Sequence, residues 1–172
     1  EKYENLFLFP SIEINHEDLK TAPKASTNLK KQEGSYFETN FNYTLDYDKR
    51  DRPYQPTEGF RSTFRQTLPL IADTYELRNS YEISKYQELY NGMISNITFT
   101  ASAVNSLNDK DVRISKRLQV PYDRLRGFER GKVGPVENKD YIGGNYISTL
   151  NLSTNIPGVL TTVENVDFTY FI

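Results

Sequence analysis

Apolar and polar residues alternate with a period of two along most of this chain. Between residues 36 and 47, for example, Phe37, Phe41 and Tyr43 alternate with Glu38 and Asn40. Successive side chains of a β-strand point to opposite faces, so this alternation predicts half-buried strands, and no stretch has a convincing helical period. The alternating stretches are residues 3–14 (interrupted by Pro10), 36–47, 59–68, 75–84, 93–104, 146–156 and 166–172. The sequence therefore predicts an all-β, antiparallel fold.

The predicted strands are long. Most run for about ten residues, whereas the usual strand has about 5–6 and a tilted membrane-spanning strand needs about 9–11. Turn-forming residues separate them in residues 51–59, in residues 69–74 and at Asn91-Gly92. Strands of this length are typical of a transmembrane β-barrel.

Two longer connections are predicted to be loops. Residues 21–34 are rich in Lys, Ser, Thr and Asn, and residues 105–142 form the longest connection. Within the second, residues 112–120 alternate weakly but place Lys116 on their apolar side. A membrane strand there would point that charge toward lipid at a cost of about 2–4 kcal/mol near the midplane. We therefore assign these residues to the loop.

Charged and aromatic residues divide between the two predicted faces of the sheet. A soluble β-sandwich also has alternating strands, so alternation alone leaves that alternative open. The polar face, however, is charged in mid-strand, and the apolar face carries Tyr and Phe near strand ends, as in the aromatic girdles of membrane barrels. The residues expected on the convex, lipid-facing side are Phe37, Phe41, Tyr43, Phe60, Phe64, Leu77, Tyr81, Phe99, Leu150, Leu152, Phe168 and Tyr170. Those expected on the concave side include Arg61, Arg65, Arg78, Glu82 and Asn151.

Composition and charge exclude several classes of protein. With 21 basic and 23 acidic residues the net charge is -2, which gives no indication of a nucleic-acid partner. The chain has no Cys, so it has neither disulfides nor a thiolate metal site. His16, the only histidine, lies beside Glu17-Asp18 and is expected in an exposed loop instead of a catalytic triad. We expect no enzyme activity, no metal and no cofactor.

Three motifs lie in order along the chain. They are DYDKRDRPYQPTEGFR at residues 46–61, LRGFERGKVGP at residues 125–135 and DYIGGNY at residues 140–146. In this order and at this spacing they resemble the Omp85 superfamily, also called the bacterial surface antigen family of outer-membrane barrels. The resemblance implies a barrel of sixteen strands preceded by POTRA domains. Residues 1–172 would form a partial barrel domain, an open, curved sheet of about seven strands, with the POTRA domains and terminal strands lying outside it.

The resemblance also implies where the functional residues lie. The loop of residues 105–142 would fold back into the lumen, the interior of the barrel, where Arg126, Gly127 and Phe128 would act as a latch motif. Gly143, Gly144 and Asn145 would start the following strand. Many family members have an acidic residue where this chain has Ser153, which leaves the partner of Arg126 open. The candidate partners are Asp167, Glu76 and Glu82.

For function, the resemblance implies a factor that folds and inserts β-barrel proteins into the bacterial outer membrane. Its partners would be the lipid bilayer, unfolded outer-membrane proteins and, through domains outside this chain, accessory lipoproteins. A two-partner secretion pore, which exports a soluble client, shares the loop motif and is an alternative. A soluble β-sandwich binding module is the third.

Overall fold

The protein forms one long antiparallel sheet, described here from a computed structural model that covers residues 4–90, 92–156 and the backbone of 168–171. The strand order is β1-β2-β3-β4-β5-β8-β9, and the prediction of about seven strands is confirmed. The strands are β1 (Leu6–Leu19), β2 (Gly34–Asp48), β3 (Gly59–Ala72), β4 (Glu76–Tyr90), β5 (Met93–Ser106), β8 (Tyr146–Ile156) and β9 (Phe168–Phe171), with a separate hairpin of β6 (Val136–Glu137) and β7 (Asp140–Tyr141). Within the described residues the sheet does not close on itself.

The strand register divides the side chains between two faces as the alternation predicts. Residues that pair directly across strands share a face. One continuous row runs Leu45, Phe64, Tyr81, Ala101 and Ser148 from β2 to β8. The apolar residues on this face as predicted are Phe37, Phe41, Tyr43, Phe60, Phe64, Leu77, Tyr81, Phe99, Leu150 and Leu152, and the side chains of Phe168 and Tyr170 lie outside the described part.

The opposite face carries the polar residues. Arg61, Arg65, Arg78, Glu82 and Asn151 all lie on it, as predicted. It is also the face that the long loop after β5 covers. We call it the inner face, and the apolar one the outer face.

Burial in this protein is the reverse of that in a soluble domain. In the described part of the chain, Val104 and Val112 are the only buried apolar residues. The buried polar residues are Ser26, Glu38, Asn40, Asp46, Thr63, Glu76, Ser84, Thr98 and Arg113. Apolar side chains of the outer face, such as Ile12 and Leu150, remain exposed. A sandwich with a dry apolar core is therefore wrong for this chain, whereas a lipid-facing exterior and a wet interior fit it.

The connections differ between the two ends of the strands. At one end lie residues 20–33, residues 73–75 and residues 107–145, and we call this the loop end. At the other end, the turn end, lie residues 49–58 and the short link between β4 and β5. The first loop contains one short helix, α1 (Thr27–Lys30). In the described part of the chain no helix has the length and apolar character needed to cross a membrane.

Two features of the loops test the predictions. Residues 112–120 form no strand: they hold a 3-10 turn, Ile114–Lys116, and one isolated bridge at Leu118, so their assignment to the loop is confirmed. His16, in contrast, is not in a loop. It belongs to β1 and pairs with Phe37, because β1 extends five residues beyond the alternating stretch at its loop end. Its side chain is exposed.

Candidate functional site: the long loop on the inner face

The loop of residues 107–145 is fastened to the inner face at two levels. The level nearer the loop end centres on Arg113, whose side chain is only 3% exposed. Its guanidinium Nη2 donates to Glu38 Oε2 at 3.2 Å, and Nη1 lies 3.6 Å from Glu17 Oε2. The guanidinium also stacks on the ring of Tyr36, 4.3 Å from its centre. Two carboxylates and an aromatic ring therefore compensate the buried charge.

Lys116 gives Glu38 a second cation. Its ammonium group donates to Glu38 Oε1, so both carboxylate oxygens of Glu38 are occupied by the loop. In return, Arg78 of β4 donates from Nη2 to the carbonyl oxygen of Lys116 at 2.6 Å. The backbone N–H of Arg113 donates to Glu76 Oε1 at 3.2 Å. Strands β2 and β4 thus hold the same turn of the loop.

The first loop of the chain, residues 20–33, hydrogen-bonds to the long loop. Gln32 accepts a hydrogen bond from the N–H of Ile114 at 2.7 Å, and Asn28 donates to Glu137 Oε1 at 2.9 Å. The first loop is itself closed by Glu33, which accepts from the hydroxyl and the backbone N–H of Thr21. These hydrogen bonds stabilise the carboxylate and hold the pKa of Glu33 below its ordinary value.

The second level lies deeper along the strands and centres on Arg124. Its guanidinium Nη2 donates to Glu82 Oε2 of β4 at 2.7 Å. Asn151 of β8 donates from its side-chain amide to the carbonyl oxygen of Arg124 at 2.8 Å. Glu82 lies six residues from Glu76, which places this contact about 20 Å further along β4 at about 3.3 Å per residue. The loop therefore reaches well into the lumen.

Arg126 of the latch motif borders a cavity of about 470 Å³ on the inner face. The wall residues of this cavity include Asn96 and Thr98 of β5 and Asn151 and Ser153 of β8. Ser153, the residue that departs from the family pattern, therefore lies on the wall that Arg126 approaches. The lumenal position expected for the motif is consistent with this arrangement.

The three candidate partners of Arg126 are placed differently. Glu82 is engaged by Arg124, and Glu76 accepts from the hydroxyl of Thr74 and the backbone of Arg113. Asp167 lies outside the described residues. The pairing of Arg126 with a wall carboxylate stays a prediction.

Gly127 and Phe128 show what the rest of the motif contributes. Gly127 has a φ of +83°, a left-handed conformation in which other residues are strained. A Cβ atom there would meet nothing within 4 Å, so the backbone conformation alone favours glycine. Phe128 borders a small cavity whose described residues, among them Tyr122 and Val133, all belong to the loop. The side chain of Phe128 is 62% exposed, and the described residues beside it belong to the loop and not to the wall.

The strand-start motif lies just before its strand. β8 begins at Tyr146, and the carbonyl oxygen of Asn145 accepts from the N–H of Val104 in β5. Gly144 exchanges two backbone hydrogen bonds with Leu118, at 2.8 and 2.9 Å. At Gly143, where φ is +69°, a Cβ atom would lie 2.7 Å from the carbonyl oxygen of Leu118. The glycine pair therefore lets the loop approach closely and does not itself start the strand, which corrects the prediction.

Sequence reasoning missed most of the level nearer the loop end, which we call the upper level, and named only Glu76 among its residues as a candidate partner. Glu38 follows the alternation as one more polar residue, and Arg113 stands 75 positions away from it. The available signal was Lys116, whose charge on the apolar side of a weakly alternating segment assigned it to the loop but did not identify its partner, Glu38. In the described residues, no three His, Asp or Glu side chains come together as a metal-binding group. The geometry is suited to holding a loop.

Comparisons with known proteins agree with this architecture. The Omp85 superfamily domain matches residues 8–172. A SAM50-like protein of Schizosaccharomyces pombe is 28% identical, and the match covers 77% of this chain and 30% of the relative. The crystal structure of BamA from Haemophilus ducreyi lacking POTRA domains 1–3 has the same fold, with a TM-score of 0.78 and 20% identity. That match covers 98% of this chain and 38% of the BamA chain.

This chain thus spans about a third of the length of each of these two proteins. The family match runs through every strand of the sheet and through the whole long loop. The inside-out burial, the strand register and the loop on the inner face are independent of that match and point the same way. The chain belongs to the Omp85 superfamily and supplies part of an outer-membrane β-barrel.

Proposed function

We propose that the protein is an assembly factor that folds and inserts β-barrel proteins into the bacterial outer membrane. The names of its relatives support the assembly role at the level of the family. The observation that carries the proposal is the fastening of the long loop to the inner wall at Arg113 and Arg124. A secretion pore shares the loop motif, and it would have to release a loop fastened in this way to open a passage along the inner face.

The physical problem for an assembly factor is the unpaired strand edge. In hydrocarbon every backbone N–H and C=O must be hydrogen-bonded, so inserting a lone strand is costly. A barrel that opens at its seam can offer its own edge to a client strand, as in β-strand addition. The seam would lie between the terminal strands, outside this chain.

This chain would form the part of the barrel wall that stays in place while the seam opens. A barrel whose seam opens needs a wall that keeps its curvature while the edges part. The loop bonds to β2 and β4 at the upper level and to β4 and β8 at the lower level, so it ties nonadjacent strands together from inside. We infer that the loop keeps the wall in shape and positions Arg126, without covalent chemistry and without a cofactor.

The expected partners follow from the proposed assembly role. The outer face would contact the lipid bilayer, the clients would be unfolded outer-membrane proteins, and accessory lipoproteins would bind through domains outside this chain. Nucleic acid has no place in the proposal. The bacterial location is also part of the proposal, since one relative comes from a fungus.

The direct test is complementation in cells depleted of the native full-length protein. Arg126→Ala should reduce the amount of folded outer-membrane barrels severalfold at equal abundance of the protein, because the latch loses its donor. Arg126→Lys should restore only part, since an ammonium lacks the bidentate fork of a guanidinium.

Arg130→Ala is the matched control. Arg130 lies in the same loop, with its guanidinium 5.8 Å from the ring centre of Tyr122, and does not border the wall cavity. Its loss should leave assembly near the wild-type level. If Arg126→Ala supports assembly as well as Arg130→Ala does, the latch motif is only a connector and this part of the proposal is wrong.

A further inference from the structure

The outer face has a notch where β5 meets β8. Three small residues lie side by side there: Ala101 and Ala103 of β5 and Ser148 of β8, which pairs with Ala101. They border a cavity of about 430 Å³ that opens toward the outside of the sheet. Elsewhere on this face, β5 and β8 carry large apolar side chains such as Phe99 and Leu150. The notch is therefore a local depression in an otherwise filled surface.

Two tyrosines border the notch and are hydrogen-bonded away from it. Tyr81 accepts from the hydroxyl of Ser62 at 3.1 Å, one row deeper in the sheet. Tyr146 donates to Asn105 Oδ1 at 2.6 Å, one row nearer the loop end. These contacts hold both hydroxyls outside the depression, so neither ring fills it.

A row of three hydrogen-bonded polar side chains ends at the notch. Tyr43 donates to Gln66 Oε1 at 2.9 Å, and Gln66 donates to Asn79 Oδ1 at 2.5 Å. Asn79 borders the notch, and its own amide donors have no acceptor in the described part of the chain. An unpaired amide on a lipid-facing surface is costly, so this position favours a ligand that brings an acceptor.

We propose that the notch binds one acyl chain of an ester-linked membrane lipid, with an ester carbonyl oxygen accepting from Asn79. Asn79 lies three residues from the loop-end start of β4, and Ala101 and Ser148 lie deeper than Ala103 and Tyr146. A lipid whose ester group lies near the membrane surface and whose chain descends toward the midplane fits this order of polar and apolar positions.

A protein segment fits the notch less well. β5 is already paired with β4 on one side and with β8 on the other, so no backbone edge is available for strand addition. The site offers a narrow apolar depression and one amide donor, which are the recognition features of a single ester-linked chain.

The test uses the full-length protein, stripped of lipid in detergent and titrated with dioleoylphosphatidylethanolamine, with bound lipid counted by native mass spectrometry. Ala101→Phe should weaken the tightest lipid site by about tenfold or more, since ring and acyl chain cannot share one volume. Ile97→Phe, on the same strand and face but four residues deeper, is the control and should leave this site unchanged.

The ester contact has its own test. A dialkyl ether analogue lacks the carbonyl acceptor and should bind the wild type about three- to tenfold more weakly than the diester lipid. Asn79→Leu should abolish that discrimination. Retention of lipid by Ala101→Phe, equal binding of ester and ether lipids, or cross-linking of the notch to a protein would each overturn the inference. It depends on the outer face and not on the assembly role, so normal assembly by Ala101→Phe leaves the proposed function intact.

Discussion

Among the described side chains of the long loop, Arg113 is held by the most varied set of contacts. It lies between Glu38, Glu17 and the ring of Tyr36, and its exposed fraction is 3%. A buried guanidinium is tolerated only where carboxylates and hydrogen bonds replace its water shell. Arg126, the residue that the motif singles out, is in contrast exposed. The loop is therefore positioned by residues that precede the motif.

Replacing Glu38 tests whether the contacts of Arg113 and Lys116 position the loop. Glu38→Gln keeps the shape of the side chain but leaves Arg113 and Lys116 facing a neutral amide. Breaking one side of a buried pair costs about 3–5 kcal/mol, and water in the lumen should lower that to about 1–3 kcal/mol. We expect faster hydrogen exchange of the amides of residues 112–118 in the full-length protein.

Lys132→Gln is the control for that variant. Lys132 makes an exposed pair with Glu129 in the same loop, and such pairs contribute little. Exchange in residues 112–118 should match the wild type. If Glu38→Gln also leaves it unchanged, the upper level does not fasten the loop.

Single residues also show why part of the site escaped prediction. The motif singles out Arg126, but Arg124, two positions before it, is the residue that bonds Glu82. Loop residues have no fixed period, so sequence spacing does not decide which of two arginines meets a given carboxylate. That choice depends on a contact between residues 42 positions apart.

At the scale of elements, the turn between β2 and β3 is organised around one carboxylate. Asp51 accepts from the N–H and the hydroxyl of Thr57, at 3.0 and 2.8 Å, and from the N–H of Glu58 at 3.2 Å. These donors stabilise the charged form and lower the pKa of Asp51 to about 2. The turn lies outside the strands, at the turn end.

The pH dependence of this turn follows from the sign of that shift. A carboxyl whose folded pKa is depressed adds stability above its unfolded pKa and loses it as pH falls through the folded value. The turn should therefore stay ordered from pH 7 to pH 4, and disorder as the pH falls from 3.8 to about 2. The amide shift of Thr57, followed by NMR, should show a midpoint near 2. In Asp51→Asn that transition should be missing, and a midpoint near 3.8 in the wild type would contradict the assignment.

Strands were the elements that the sequence predicted best. Each long strand has one polar and one apolar set of positions, and that difference is created by lipid on one side and water on the other. Boundaries were less accurate: β1 and β4 extend past their alternating stretches, whereas β8 coincides with its stretch of residues 146–156. Pairing with a neighbouring strand sets those ends, and local sequence does not record it.

At the scale of the whole molecule, buried polar groups replace an apolar core. Hydrogen bonds and ion pairs connect β2, β4 and β8 through the loop and hold the loop on the inner face. Such contacts are directional, so they fix geometry more sharply than apolar packing does. A wall of this kind can remain in shape while a distant seam opens, which is what the proposed assembly role requires.

The most direct test of whether assembly requires the loop to be held to the wall is to exchange the charges of Arg124 and Glu82. Arg124→Glu and Glu82→Arg, each alone in the full-length protein, place like charges opposite one another and should reduce the amount of folded outer-membrane barrels in depleted cells. The double variant restores an ion pair of opposite direction at the same place and should recover most of the assembly. If the single variants assemble clients as well as the wild type, or the double variant is no better than the worse single one, the loop is not held to the wall in the way that assembly requires.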